Sequence, residues 1–560
     1  MEFKIKDKWF HLLILVLSSM GIIFWLHAIS IPNIYQIDIS HEFGLFEVLP
    51  ITFHFSIIFL TVSTLLSCYH KKEKFFLANI LVLSLVLFGT GVFVEKYPRF
   101  WDTYLHGRVS KYIMENGIIR YENMLDEGLD YLQWPGFFIV TTMLMKTTNI
   151  SLMSFLKFYP IFSVPLIILS VYLLFRGLFW DVIIAKITTL IFLLLNQFMI
   201  TQIHFCPQSL GLILYSLIIY TLIKESVGYR IVSIFLLLAL IISHPTTSVF
   251  IMLFIIIVYL FGHLPLNRSE NFTAFKNFSL VLFIVIAFMS WQIYLAAQFF
   301  DYNASGVRDA LVKIINWEGR TSTVLSRGSL FLPSLINQMF FFGTYLLTGC
   351  YLFLKILKKK IFPVFTSAWF IVPSIFFISD ILMEGLFGMR SALFAFYPIC
   401  FLIGEFTSEH GKNKKYSLMV KFLPLFFLLA ASTLYFAESM YLYSEGDIQA
   451  YRFAYDMSKN KTFAGDVDPH LFTTAFVYLT GIDYENVDSV QLDLDALNNQ
   501  SVDYDVILIS DRNIIYSLVH YGKTRDEMKK TIENINSYTY LDRIYDNKKC
   551  QIYDKNQDGL

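Results

Sequence analysis

In the stretch RFWDTYLHGRVSKYIMENG, residues 99–117, Asp102 and His106 stand four positions apart, which puts an acid and an imidazole on one face of a helix. Arg99 precedes them by a turn, and Arg108 and Lys111 follow. A carboxylate that takes a proton from a hydroxyl, beside cations that balance a departing phosphate, is the minimum equipment for group transfer from a phosphate ester. In this reading Asp102 is the base, and Arg99, His106, Arg108 or Lys111 meets the phosphate. A nearby cation also lowers the carboxylate pKa and weakens it as a base. The plain alternative is that Asp102 caps a surface helix and the basic residues meet lipid headgroups.

Other polar residues sit beside apolar runs. His244 in SHPTTS, and His204 with Gln208 in HFCPQSLG, lie at the ends of apolar segments, where polar groups can line a sugar cavity. Pro and Ser beside a His also describe an ordinary turn. Arg390 begins a late apolar segment and suits either phosphate binding or snorkelling to the interface. GDVD at 465–468 has Asp-x-Asp spacing, which can hold a divalent ion but more often forms a turn. The five cysteines offer no disulfide framework or metal spacing. No metal ligand is assigned, and a divalent cation stays open as a cofactor.

The elements that must position these residues are helices in a membrane. The 560-residue chain is 56% hydrophobic and only 16% charged, against about 25% in soluble domains. Its 44 basic residues equal its 44 acidic ones, so net charge favours neither nucleic acid nor an acidic partner. Only a backbone bonded to itself can cross a bilayer, and about 20 apolar residues are needed to do so in a helix. Thirteen segments approach that template, near residues 9–29, 46–68, 75–95, 153–175, 182–200, 207–223, 230–243, 247–263, 277–299, 333–355, 362–380, 390–406 and 417–437. The first follows MEFKIKDK, is too long for a signal peptide and lacks a cleavage site, so it is expected to remain as a span. The short segments flanking SHPTTS also fit one broken hairpin.

Alternating spans place KIKDK, HKKEK, KILKKK and KNKK on one side, which the positive-inside rule makes cytoplasmic. The N-terminus is then cytoplasmic, and the loop at 96–152, the SHPTTS turn, the loop at 300–332 and the C-terminus are external. Within 96–152, Leu105, Val109, Tyr112 and Ile113 recur at helical spacing and ENG supplies a stop at Gly117, which predicts an amphipathic helix on the outer membrane surface. WPGFFIVTTMLMKTTN, residues 134–149, is too short to span and is expected to dip in and return. From 440 onward YDVILIS and CQIYD alternate with the amphipathic KTRDEMKKTIENI, the pattern of a small α/β domain. Asn303, Asn460 and Asn499 lie in Asn-x-Ser/Thr triplets, which are frequent by chance. The expected fold is a polytopic α-helical membrane protein of about thirteen transmembrane helices, residues 1–439, with an extracytoplasmic α/β domain over 440–560.

The Asp, aromatic residues and His of the opening loop, the ENG, the acidic run YENMLDEGLDYLQ and the WPG together resemble the GT-C superfamily of membrane glycosyltransferases. Protein mannosyltransferases, arabinosyl and aminoarabinose transferases and oligosaccharyltransferase catalytic subunits belong to it. HFCPQSLG, ISHPTTS, FGMRSALFAFYP and DRIYDNKKCQIYD are similar to segments of uncharacterised archaeal and bacterial members. The resemblance implies inverting sugar transfer, at the external face of the plasma membrane, from a polyprenyl-phosphate donor to a hydroxyl on a glycan, lipid or protein. It carries the catalytic Asp onto Asp102 and a phosphate-binding Arg onto Arg390; His106, Arg99, Arg108, His244 and Gln208 complete the expected substrate site. Two apolar segments more than usual precede the loop, and neither the Trp-Trp-Asp-Tyr-Gly signature nor the acidic metal motif of oligosaccharyltransferases is evident. The main alternative is a polysaccharide polymerase or ligase of the O-antigen type, in which Arg99, Arg120, Arg327 and Arg390 would outweigh Asp102. A lipid-linked glycan transporter is the third reading, although charges at mid-membrane and paired broken helices are not clear in the sequence.

Overall fold

The computed structural model describes residues 7–31, 41–120, 129–196, 199, 203–224, 226–263, 278–297, 332–359, 363–382, 389–411, 414–435, 445–457, 462–465, 488–491, 497, 504–510, 513–514, 525–538, 541–546 and 550–555. Arg327, Asp466, Val467 and Asp468 of GDVD, and Asn303, Asn460 and Asn499 lie outside them.

All thirteen apolar segments contain helix. In chain order the helices are α1 (Asp7–Ser30), α2 (Leu45–Val48), α3 (Ile51–Cys68), α4 (Glu73–Val94), α5 (Trp101–Asn116), α6 (Gly136–Thr148), α7 (Leu152–Leu178), α8 (Val182–Leu195), α9 (Pro207–Leu222), α10 (Val227–Ile241), α11 (Pro245–Gly262), α12 (Phe278–Tyr294), α13 (Leu332–Lys359), α14 (Val364–Leu382), α15 (Met389–His410) and α16 (Lys414–Ala431). Among the described residues seven helices are long and apolar enough to cross a membrane: Lys8–Ser30, Ile51–Cys68, Glu73–Val94, Leu152–Leu178, Pro245–Gly262, Leu335–Lys358 and Arg390–His410. Shorter apolar helices such as Val182–Leu195 and Val227–Ile241 accompany them. At 1.5 Å per residue these cover about 20–25 Å, less than the ~30 Å hydrocarbon core. The chain is a helical membrane protein.

The helices share one large apolar core that runs from Ala28 to Tyr435. Inside it, buried side-chain hydrogen bonds join neighbouring helices. Trp369 Nε1 donates to Tyr215 Oη at 2.8 Å, and Ser216 Oγ bonds Tyr397 Oη at 3.0 Å, so α9, α14 and α15 are tied across their buried faces. Prolines inside α7, α14, α15 and α16 are tolerated because neighbouring helices shield the freed carbonyls.

The expected stop of α5 at Gly117 matches its structure. The helix runs from Trp101 to Asn116 and stops at Gly117, whose φ of 70° and N–H bond to the Ile113 carbonyl make a left-handed cap. Its surroundings differ from a helix lying in lipid headgroups. Val109, Tyr112 and Ile113 are buried against Phe137, Phe138 and Leu156 of α6 and α7, and Leu105 packs toward the C-terminal sheet. The apolar stripe is therefore covered by protein, because the apolar faces of α6 and α7 are available to bury it.

The C-terminal residues form a helix, α17 (Glu445–Met457), strands β1 (Thr462–Gly465), β2 (Asp488–Gln491) and β3 (Val506–Ser510), a helix, α18 (Arg525–Asn536), and strands β4 (Leu541–Asp546) and β5 (Cys550–Lys555). The sheet order is β2-β1-β3-β5-β4, with β2, β1 and β3 parallel and β5 antiparallel to both β3 and β4. Alternation along β3 serves two cores. Val506 and Leu508 face α17, while Ile507 and Ile509 join Met528 and Ile535 of α18. The α17 side of this sheet also takes in Tyr104 and Leu105, so the sheet rests on α5.

Candidate functional site

The site is built where α5 meets the segment leading into α9. At the entry to α5, Phe100 has φ 67° and ψ 130°, a backbone conformation favourable only to glycine. Thr103 N–H donates to the Phe100 carbonyl at 3.2 Å, Thr103 Oγ1 to the Arg99 carbonyl at 2.7 Å and Tyr104 Oη to the Pro98 carbonyl at 3.2 Å. Three bonds thus hold the strained turn. Its consequence is that the Phe100 ring stacks on the His204 imidazole, with centroids 4.5 Å apart.

Asp102 Oδ1 lies 2.9 Å from His204 Nε2, and the Asp102 side chain keeps 30% of its surface exposed. Burial pushes the Asp102 carboxyl up, but contact with His204, helped by Arg390, outweighs this and holds it below its ordinary value. His204 responds oppositely: burial lowers its pKa, and the Asp102 charge brings it up to about 10. At neutral pH the two form a carboxylate–imidazolium pair. His106, one turn along α5, is 2% exposed, and its Nδ1 lies 3.0 Å from the Phe205 carbonyl oxygen. Burial, reinforced by the charges of His204 and Arg390, brings its pKa down to about 4 against the pull of Asp102, so it is neutral. Its ring meets Tyr131 edge-on at 4.7 Å. One donor atom from each of Asp102, His106 and His204 lies within 4.8 Å of the others, so these three residues could hold a metal ion.

Arg390 and His244 border this group. Arg390, in the first turn of α15, is exposed, and its charge acts on Asp102, His106, Tyr131 and His244. Separation by many helices in sequence thus does not prevent Asp102 and Arg390 from sharing one electrostatic neighbourhood. His244 caps α11: the Thr247 N–H donates to its Nδ1 at 3.2 Å. Burial pushes its pKa well below the ordinary value, with Arg390 adding to the effect. Gln208 Nε2 donates to Thr247 Oγ1 at 3.2 Å, linking α9 to that cap. Gly136 of WPG closes the assembly, since its N–H donates to the Ile242 carbonyl at 2.9 Å and a Cβ there would stand 2.4 Å from Ser243 Oγ.

Arg99 and Lys111 pair with acidic neighbours, and Arg108 lies on another side of α5 from Asp102. Arg99 is held by Glu95 through a forked ion pair, with Nε 2.6 Å from Oε2, and its guanidinium fills the space beside Gly91. Together with Lys157 and His204 this pair lines a cleft next to Phe100. Arg108 and Lys111 are about 240° and 180° around the helix from Asp102. Lys111 pairs with Glu115 at 3.9 Å. Phe100, Tyr131 and Glu95 were not singled out by sequence reasoning, and His204 was noted only as a cavity or turn residue. Nothing local marks the contacts of Phe100 and His204, although Glu95 and Arg99 do have i, i+4 spacing.

No protein-family model matches this chain, and no curated protein matches it significantly.

Proposed function

We propose that the chain is a GT-C-like membrane glycosyltransferase that moves one sugar from a polyprenyl-phosphate carrier to a hydroxyl of a glycan, lipid or protein, with inversion at the anomeric carbon. The observation that carries this reading is the Asp102 carboxylate, ionised, partly open and backed by His204 at the end of a helical membrane bundle. In the reaction the acceptor oxygen bonds to the anomeric carbon as the bond to the carrier phosphate breaks. The phosphate keeps the bonding electrons, and the acceptor proton passes to Asp102. A carboxylate of low pKa is a weak base for a free hydroxyl. It becomes adequate late in the reaction, when the attacking oxygen has gained positive charge. Arg390 faces the phosphate, while the His204 imidazolium keeps Asp102 ionised before transfer and stabilises the site's charge during it.

The thirteen helical segments are taken as spans, with the N-terminus cytoplasmic and α5, His204, His244, Arg390 and the C-terminal sheet at the external face of the plasma membrane. The sheet, which rests on Tyr104 and Leu105 beside the site, contributes to holding the acceptor. The reading is tested by transfer of radiolabelled sugar from a panel of polyprenyl-phosphate donors, using wild type and Asp102→Asn in lipid. Transfer by wild type alone supports both the enzyme class and the base. Transfer by both moves the base elsewhere, and transfer by neither across many donors removes the reading.

A further inference from the structure

We propose that Asp102, His106 and His204 bind one divalent transition-metal ion of the zinc type. The claim concerns the residues and stands whichever reaction the pocket performs. The ring of His106 carries the first argument. Its Nδ1 is 3.0 Å from the carbonyl oxygen of Phe205. A carbonyl can only accept, so Nδ1 bears the hydrogen and the lone pair lies on Nε2. That Nε2 is buried and has no hydrogen-bond partner among the described residues, on a side chain only 2% exposed. Leaving such an acceptor unsatisfied is costly, and a metal ion is a partner that needs no donor hydrogen. A metal-bound histidine commonly donates its other N–H to a backbone carbonyl, which is the arrangement found here.

The second argument is convergence. Donor atoms of Asp102 and His106 on α5, and of His204 from the segment before α9, lie within 4.8 Å of one another. Around a tetrahedral ion with bonds of about 2.0–2.1 Å the donors would draw in to roughly 3.3 Å. His204 and Asp102 already stand at 2.9 Å and would part slightly, while the wider edges close. Two imidazoles and one carboxylate select zinc or a neighbouring transition ion over magnesium or calcium, which prefer all-oxygen shells. The ion brings to Asp102 the positive charge that the His204 imidazolium brings in its absence, so the carboxylate is compensated in either state. Three protein ligands leave a position open for water or a substrate oxygen. The charge of Arg390 opposes a bare cation there and favours an anionic oxygen in the open position.

The test uses the full chain in lipid nanodiscs, untagged and stripped with chelator, and titrates it with Co²⁺ and then Zn²⁺. The expected result is one Co²⁺ per chain with a visible absorption band that Zn²⁺ displaces. His106→Gln and His204→Gln should each weaken binding about tenfold or more, and His410→Gln should not. Absence of saturable Co²⁺ binding to wild type, or wild-type affinity in both site variants, overturns the proposal. Zinc-edge X-ray absorption of the wild type needs no variant and therefore no assumption about folding. Scattering from two imidazoles in a nitrogen and oxygen shell supports the site; sulfur ligands or fewer than two imidazoles overturn it. Metal binding without sugar transfer would leave this inference standing while removing the glycosyltransferase reading, and the converse result would do the reverse.

Discussion

Asp102 Oδ1 and His204 Nε2 meet at 2.9 Å, which joins the first turn of α5 to the segment entering α9. The contact gives Asp102 a fixed counter-charge while 30% of its side chain stays exposed. An Asp102→Asn protein keeps the shape of the side chain but cannot accept the acceptor proton. Its transfer rate at saturating donor should fall by about 10²–10⁴-fold, the usual worth of a positioned base. Donor KM should change much less, which a kcat and KM comparison in lipid would establish.

Arg390 should show the opposite division. Its guanidinium is exposed at the start of α15, and its field reaches Asp102, His106 and His244. If it holds the carrier phosphate, Arg390→Ala loses a charge-assisted contact of about 1.5–3 kcal/mol. Donor KM should then rise about 10–100-fold. Arg390→Lys should recover part of this, because an ammonium keeps the charge but not the fork. A loss confined to kcat, with donor affinity unchanged, would count against the assignment.

The sequence made one layer of this site readable and hid another. The 3.6-residue spacing of Leu105, Val109, Tyr112 and Ile113 and the glycine at 117 give α5 its face and its end, because these are local constraints. What covers that face was not readable: lipid headgroups and the apolar sides of α6 and α7 ask for the same residue types. Asp102 and His106 share a face by simple helical geometry. His204 joins them only through the folding of α7, α8 and α9, and no pattern near HFCPQ reports that contact. Pro98 interrupts the run between Glu95 and Arg99, which disguised their pairing and made Arg99 look available for a ligand. In the C-terminal part, YDVILIS and CQIYD announced strands by their composition, but the switch from parallel β1–β3 to antiparallel β3–β5 depends on which edge the last strand joins.

Gly136 offers a test of how the WPG turn supports the pocket. A Cβ at this position would stand 2.4 Å from Ser243 Oγ, 2.9 Å from the Ile242 side chain and 3.0 Å from the Ile242 carbonyl oxygen. The Ser243 hydroxyl can rotate away, but the backbone oxygen cannot move without shifting the end of α10. Gly136→Ala should destabilise the protein by about 1–3 kcal/mol, the typical cost of overpacking. The double variant Gly136→Ala/Ser243→Gly should recover only part of the loss, since Ile242 remains in place. Thermal unfolding of the two proteins in the same detergent measures the difference.

Phe100 separates backbone strain from side-chain contact. Its φ of 67° and ψ of 130° suit glycine, yet its ring is 6% exposed and stacks on His204. Both Phe100→Ala and Phe100→Gly remove the ring, so both should lose the same stacking and lower activity by similar factors. Their stabilities should differ in an unusual direction. At an ordinary position glycine is about 0.5–1 kcal/mol worse than alanine. Here alanine must still occupy a conformation that costs about 1–3 kcal/mol for a residue with a Cβ, whereas glycine does not. Phe100→Gly is therefore expected to melt above Phe100→Ala, with both below wild type because a buried aromatic ring is gone. The reverse order would mean that residue 100 leaves the left-handed region once its ring is removed. The strain would then be a consequence of the His204 contact rather than of the Thr103 and Tyr104 hydrogen bonds that surround the turn.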